Sequence, residues 1–156
     1  SHACVEKDIA TIIHGALNMI PTKSTFHQCI TDVIKWHEQY PTDWKKNWAL
    51  IEEKWGNDIG CPDGAYRDFN IDAKINAAYV VLGMLYGEGD FGKTLDISTR
   101  AGQDSDCNPA TAMGILATTT GLSGIPAYWL QGLTSIEDIN FSHTDMSLNK
   151  VYQISY

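Results

Sequence analysis

Residues 73–89, AKINAAYVVLGMLYGEG, decide the fold class. Nearly every residue from Ala77 to Leu85 is apolar, so a helix here leaves no polar stripe to face water. Such a helix has to be enclosed by other elements. Asp72 opens it as an N-cap, because a carboxylate there accepts N–H groups that the first turn leaves unpaired. The stretch therefore predicts a buried helix in the middle of a bundle.

The flanking segments supply the helices that enclose it. Upstream, EKDIATIIHGALNMIP places Ile9, Ile12, Ile13, Ala16 and Leu17 at helical spacing, and Pro21 closes the segment. Ser24 reads as the cap of TFHQCITDVIKWHEQY, whose apolar face is Phe26, Cys29, Ile30, Val33, Ile34 and His37. Pro41 ends it. Thr42 is the expected cap of DWKKNWALIEEKW, with Gly56 as its stop. Downstream, Asp90 caps FGKTLDISTRAG. Asn108 and Pro109 then read as the N-cap and first residue of PATAMGILATTTG, whose small residues permit close helix contact. The tail is mixed, with a short extended piece expected at KVYQISY. No strand alternation is sustained and no 20–50-residue period repeats. The expected fold class is all-α.

Composition sets outer bounds. The chain has 156 residues, 44% of them hydrophobic, enough for one domain with a real core. The formal net charge of -8 argues against nucleic acid as a partner, since phosphate binding needs a basic face. No run of about 18 apolar residues predicts a membrane span, and the first residues lack the basic-then-apolar pattern of a secretory signal. Cys4, Cys29, Cys61 and Cys107 are widely spaced with no CxxC pair, which disfavours structural zinc. Reduced thiols and a cytoplasmic setting are expected.

The chemistry concentrates in residues 101–115, AGQDSDCNPATAMGI. Asp104 and Asp106 stand at the positive end of a helix. One reading is that they complement the helix dipole. Another is a hard-metal site, since carboxylate oxygens suit Mg²⁺, Mn²⁺ or Ca²⁺. An EF-hand fails, because Pro109 stands where the loop needs Gly and Ile115 where it needs Glu. A phosphatase-type DxD normally ends an apolar strand, and LDISTRAGQ is not one. Cys107 as a nucleophile gains from the helix N-terminus, but two neighbouring aspartates oppose its ionisation.

The stretch AGQDSDCNPATAMGILATTTGLSGIPAYW resembles the C-terminal signature of the ADP-ribosylglycohydrolase family, Gly-Gly-Asp-Thr-Asp-Thr-Asn followed by small residues, a glycine and later Ile-Pro. Gly102, Asp104, Ser105, Asp106, Asn108, Gly114, Gly121, Ile125 and Pro126 fall on it. The resemblance is specific over about residues 70–130. It implies an all-α orthogonal helix bundle and two Mg²⁺ (or Mn²⁺) ions in the complete site. It also implies hydrolysis of the glycosidic bond between ADP-ribose and a modified protein residue or small acceptor. Asp104 and Asp106 would be the catalytic and metal-holding carboxylates. Ser105 would orient one of them, and Gly102 would belong to the ligand loop.

Two departures stand out. Cys107 occupies the position of a metal-binding Thr. The Thr-Asp-Asp that the family places N-terminally has no counterpart, since the chain holds no Asp-Asp pair. The expectation is that residues 1–156 are the C-terminal part of one domain, an incomplete bundle. Its partners would include the missing N-terminal portion, and dimerisation is one way to cover the exposed apolar surface.

Other residues have competing readings. Trp44, Trp48, Ile51 and Trp55 form one helical stripe, which reads as packing surface rather than a sugar-stacking platform. His14 and His37 read as structural. The loop CPDGAYRDFNIDAK is a second candidate site: Arg67 can meet a diphosphate, Tyr66 can stack an adenine, and Asp68 and Asn70 add polar groups. The alternative is a loop whose side chains satisfy its own backbone.

Overall fold

The computed structural model describes residues 1–56 and 72–155. Among the described residues there are eight α-helices, three short 3-10 turns and no strand, in agreement with the all-α expectation. The α-helices are α1 (Ile9–Leu17), α2 (Thr25–Gln39), α3 (Trp44–Trp55), α4 (Ala73–Gly87), α5 (Phe91–Arg100), α6 (Cys107–Thr120), α7 (Leu133–Ile136) and α8 (Leu148–Ser155). The chain divides into two compact units, Ser1–Thr120 and Gly121–Tyr156.

In the first unit α4 is the central element. Ile75, Ala78, Tyr79 and Leu82 are fully buried on it, and α1, α2, α3, α5 and α6 all pack against it. Its closest neighbour is α5, and glycines set the distance. A Cβ on Gly83 would lie 2.7 Å from the Ser98 Cβ, and one on Gly87 would lie 2.9 Å from the Thr94 Cα. The two backbones approach because α4 has no side chain at these points. Gly114 on α6, in the segment expected to make close contact, has nothing near its own Cβ position. The burial of α6 runs instead through Asn108, Pro109, Ala112, Leu116 and Thr119.

The tryptophan stripe is packing surface. Ile51 is fully buried, Trp55 nearly so, and Trp44 and Trp48 pack partly buried against the core. Two of these indoles have polar partners: Trp55 Nε1 donates to Asp32 at 3.0 Å, and Trp48 Nε1 donates to the Ala101 carbonyl at 2.8 Å. His37 packs edge-on against Tyr86 at 4.7 Å, a structural role, while His14 is exposed.

Several helix boundaries follow the expected chemistry. Ser24 caps α2 by accepting the His27 N–H at 3.1 Å, and the Asp72 and Asp90 carboxylates cap α4 and α5 in the same way. Helix α3 is capped by Asp43, not Thr42: the Asp43 carboxylate accepts the Lys46 N–H at 3.0 Å. Both residue types cap well, and the carboxylate one residue later is the one in register with that N–H.

The second unit corrects the tail. Residues 148–155 form helix α8, not an extended piece. Leu148, Val151, Tyr152 and Ser155 recur at helical spacing, and Ser147 accepts the Val151 N–H at 3.0 Å. With no partner strand among the described residues, the β-branched and aromatic residues have no ladder to join there, and helical periodicity prevails. Asn149 ties α8 to the segment after α7: its N–H donates to the Glu137 carbonyl and its side chain to Asp138.

The first unit carries an open apolar groove of about 310 Å³ between α1, α2, α4 and α6, walled by residues such as Ile13, Leu17, Ile30, Val81, Met84 and Ile115. In the second unit Leu122, Tyr128, Ile139 and Ile154 are each at least 60% exposed, a large apolar display for so short a segment. No helix among the described residues is long and apolar enough to cross a membrane.

Candidate metal centre

The acidic loop joins α5 to α6, and two side-chain contacts and a sharp turn shape it. Trp48 on α3 bonds the carbonyl of Ala101, the residue that ends α5. Gly102 follows with φ +96° and Gln103 with φ +54°, which turns the chain sharply. Nothing lies within 4 Å of where a Gly102 Cβ would sit, so backbone conformation is what calls for glycine there. Asn108 makes the second contact. It is 4% exposed, and its Nδ2 donates to Asn76 Oδ1 on α4 at 2.9 Å and to the Gly102 carbonyl at 3.5 Å.

Asn108 is therefore not the N-cap of α6. The helix begins at Cys107, and capping falls to the aspartates. The Asp104 carbonyl accepts the Asn108 N–H at 3.1 Å, and its carboxylate accepts the Cys107 N–H at 3.1 Å, the two bonds of an N-cap. Asp106 also accepts the Cys107 N–H, at 3.0 Å, and its carbonyl accepts the Ala110 N–H. With two carboxylates ahead of it, Asn108 is freed to turn inward and bridge α6 to α4. Asn76 is the site-positioning residue that sequence reasoning missed. The signal for it was a polar side chain at the start of the apolar run of α4.

The capping geometry brings three ligand-type atoms together. A carboxylate oxygen of Asp104, one of Asp106 and the Cys107 Sγ all lie within 4.8 Å of one another. Asp106 and Cys107 are exposed and Asp104 half-buried. Hydrogen bonding, first with the Asp106 side chain and then with the Cys107 N–H, holds the Asp104 carboxyl below its ordinary pKa. The Cys107 thiol moves the other way: its hydrogen bond to Asp104 and the charges of Asp104 and Asp106 push it above its ordinary value. A thiol so placed is a poor nucleophile near neutral pH.

Other expected site residues fall differently. The Ser105 hydroxyl is exposed, and among the described residues it makes no hydrogen bond to either carboxylate. Tyr66, Arg67, Asp68 and Asn70 lie outside the described residues, as does Cys61. The three described cysteines, Cys4, Cys29 and Cys107, are free thiols.

Fold and loop together define an all-α protein with an acidic cluster at the start of α6, a helix packed against the core helix α4. A model of the ADP-ribosylglycohydrolase family matches residues 1–152, nearly the whole chain. The chain belongs to the ADP-ribosylglycohydrolase family, a family of hydrolases. No curated protein and no solved structure matches it significantly.

The donor set fits a divalent cation in part. Two converging carboxylates are hard oxygen donors of the kind Mg²⁺ and Mn²⁺ take. The third donor is a thiol, which Mg²⁺ does not favour.

Proposed function

We propose that this chain carries part of the active site of a metal-dependent hydrolase that cleaves the glycosidic bond of ADP-ribosylated proteins or small ADP-ribosyl compounds. The observation that supports it is the convergence of Asp104, Asp106 and Cys107 on one point, at the signature positions of the family the chain belongs to. Asp104 and Asp106 are the residues proposed to hold the metal, Mg²⁺ or Mn²⁺, with two ions in the complete site. A bound divalent ion supplies orientation of the ribose hydroxyls and acidification of a water.

The chain's own residues do the rest. Bond cleavage at an anomeric carbon passes through an oxocarbenium-like state, which carboxylate charge nearby stabilises. Asn108 and Trp48 fix the loop so that both carboxylates keep their place relative to α6. Gly102 makes the turn that brings Asp104 to the helix start. Each Mg²⁺ takes about six oxygen ligands, and this loop offers few. Residues 1–156 contain no Asp-Asp pair, so the opposing ligands are proposed to come from further chain that completes the site. The apolar groove between α1, α2, α4 and α6 supports the same reading.

A second reading has its own observation. Cys107 in place of a hydroxyl ligand favours a protein of this fold that binds ADP-ribose without hydrolysing it. Calorimetric titration of the full-length protein with ADP-ribose, with and without Mg²⁺, followed by assay for ADP-ribose release, separates the two. Metal-dependent binding with release supports the hydrolase. Metal-dependent binding without release supports the binding protein, and absence of ADP-ribose binding sinks both.

A further inference from the structure

We infer that the apolar groove and a charged cavity at its end form one binding site, for a single-chain amphiphile with a zwitterionic head. The site is separate from the acidic loop. Glu88, at its charged end, lies roughly 18 Å along the axis of α4 from Asn76, at about 1.5 Å per residue.

Helices α1 and α4 change character at the same place. Along the groove they present Ile12, Ile13 and Ala16 from α1 and Ala77, Val80 and Val81 from α4, and no charged residue lines it. Beyond it, Lys7, Asp8 and Ile9 at the start of α1 line a second cavity of about 310 Å³ together with His37 and Glu88. Met84 lines both, so the two adjoin. Their combined volume falls within the range of about 300–1,000 Å³ typical of small-molecule pockets. A methylene takes about the 30 Å³ of a liquid water, so the groove holds a chain of about ten carbons.

Charge decides the head. Lys7 makes no ion pair among the described residues, so its ammonium is available to an anionic group. Glu88 is held only by Lys93 at 3.6 Å, with both side chains exposed, and such a pair is worth little. The Asp8 carboxylate is committed to the Thr11 N–H and hydroxyl, at 2.8 and 2.6 Å. The cavity wall therefore offers an available cation and a loosely held anion. An anionic amphiphile would meet Glu88 and the chain's net charge of -8, and a cationic one would meet Lys7. A zwitterion matches both signs and carries no net charge. Protein laid into the groove, from a second copy or from further chain, is the competing occupant, and it would leave no room for the tail.

The probe is decylphosphocholine, titrated by calorimetry into the 156-residue protein below the micellar concentration. Binding is expected, and it should be about tenfold weaker for octylphosphocholine, since each buried methylene contributes roughly fourfold. Lys7→Gln and Glu88→Gln should each weaken it about two- to fivefold, the range of an exposed ion pair. The two should differ in what they favour: Lys7→Gln shifts preference toward decyltrimethylammonium, and Glu88→Gln toward decyl sulfate. Ala16→Trp and, separately, Thr111→Trp add bulk at exposed positions of the groove wall and should abolish binding. Circular dichroism of each variant separates lost binding from lost folding. Decyl maltoside bound as tightly as decylphosphocholine, with both charge variants silent, would overturn the proposal. Absence of decylphosphocholine binding would overturn it too. In that event a dimer that Ala16→Trp dissociates in sedimentation assigns the groove to a second copy, and a monomer leaves it to further chain.

Discussion

Asn108 shows how one side chain links local chemistry to the site. Its position after two acids and before a proline suits a cap, yet it is buried and donates across to Asn76. Replacing it with alanine leaves Asn76 Oδ1 without its donor and unties the loop from α4. Loss of a buried hydrogen-bond partner costs about 1–3 kcal/mol. Asn108→Ala is therefore expected to lower the urea midpoint accordingly, and Asn76→Ala to cost less on that background than alone, since the two mutations remove one shared bond. Strict additivity of the two would contradict the bridge.

Cys29 is a residue-scale contrast to Cys107. It is fully enclosed on α2, and desolvation is the main cause that raises its thiol pKa from 9.0 to about 12, with smaller opposing effects from Lys74 and Asp32. It should resist alkylation in the folded protein, whereas exposed Cys4 should react readily and exposed Cys107 more slowly, because Asp104 and Asp106 hold its thiol protonated. The same shift carries a pH dependence. Above pH 9.0 an unfolded chain ionises this thiol while the folded chain keeps its proton until about 12. The unfolded state then binds fewer protons, so stability falls as pH rises through that window, by up to about 1.4 kcal/mol per unit for a single group. Urea denaturation of wild type and Cys29→Ala between pH 8 and 11 checks it: the variant should show a shallower decline, and equal slopes would contradict the assignment.

At the scale of elements, the α4–α5 contact makes a prediction with two signs. Gly83→Ala forces a Cβ to 2.7 Å from the Ser98 Cβ and 3.2 Å from the Ser98 backbone, atoms that cannot swing aside. Overpacking of this kind costs about 1–3 kcal/mol, against a helix-propensity gain of about 0.8–1.0 kcal/mol. The net effect should be loss of stability. Gly114→Ala on α6 meets nothing within 4 Å, so the propensity gain stands alone and the variant should be more stable. Thermal denaturation of the pair tests the packing, and two changes of the same sign would contradict it.

Elements also show what was legible in the sequence. The buried character of α4 was readable because an all-apolar stretch has one physical solution. The Asp72 and Asp90 caps were readable because each is the one strong capping side chain at its boundary, and Ser24 was readable although Thr25 stands beside it. The reading slipped at two other boundaries with neighbouring candidates: Thr42 beside Asp43, and Asn108 beside Asp104 and Asp106. Asn and Asp cap about equally well, and for Asn108 the choice is made by its tertiary contact with Asn76. The tail failed for a related reason. KVYQISY has β-rich composition, but a lone segment without a partner strand has no ladder to complete. The acidic cluster was legible as two carboxylates at a helix start. The carboxylates that cap α6 also bring their oxygens within 4.8 Å of the Cys107 Sγ, so the dipole reading and the proposed metal reading draw on one arrangement.

The whole molecule is an all-α member of a hydrolase family, with its acidic cluster held at the junction of α5 and α6 and tied to the core helix α4. The central claim is that Asp104 and Asp106 hold the divalent metal on which glycosidic hydrolysis depends. The most direct measurement is release of ADP-ribose from an ADP-ribosylated substrate by the full-length protein, with defined divalent metal, compared with Asp106→Ala of the same protein. The account predicts metal-dependent release by the wild type and loss of both release and metal binding in the variant. Release at an undiminished rate by a folded Asp106→Ala protein would contradict it.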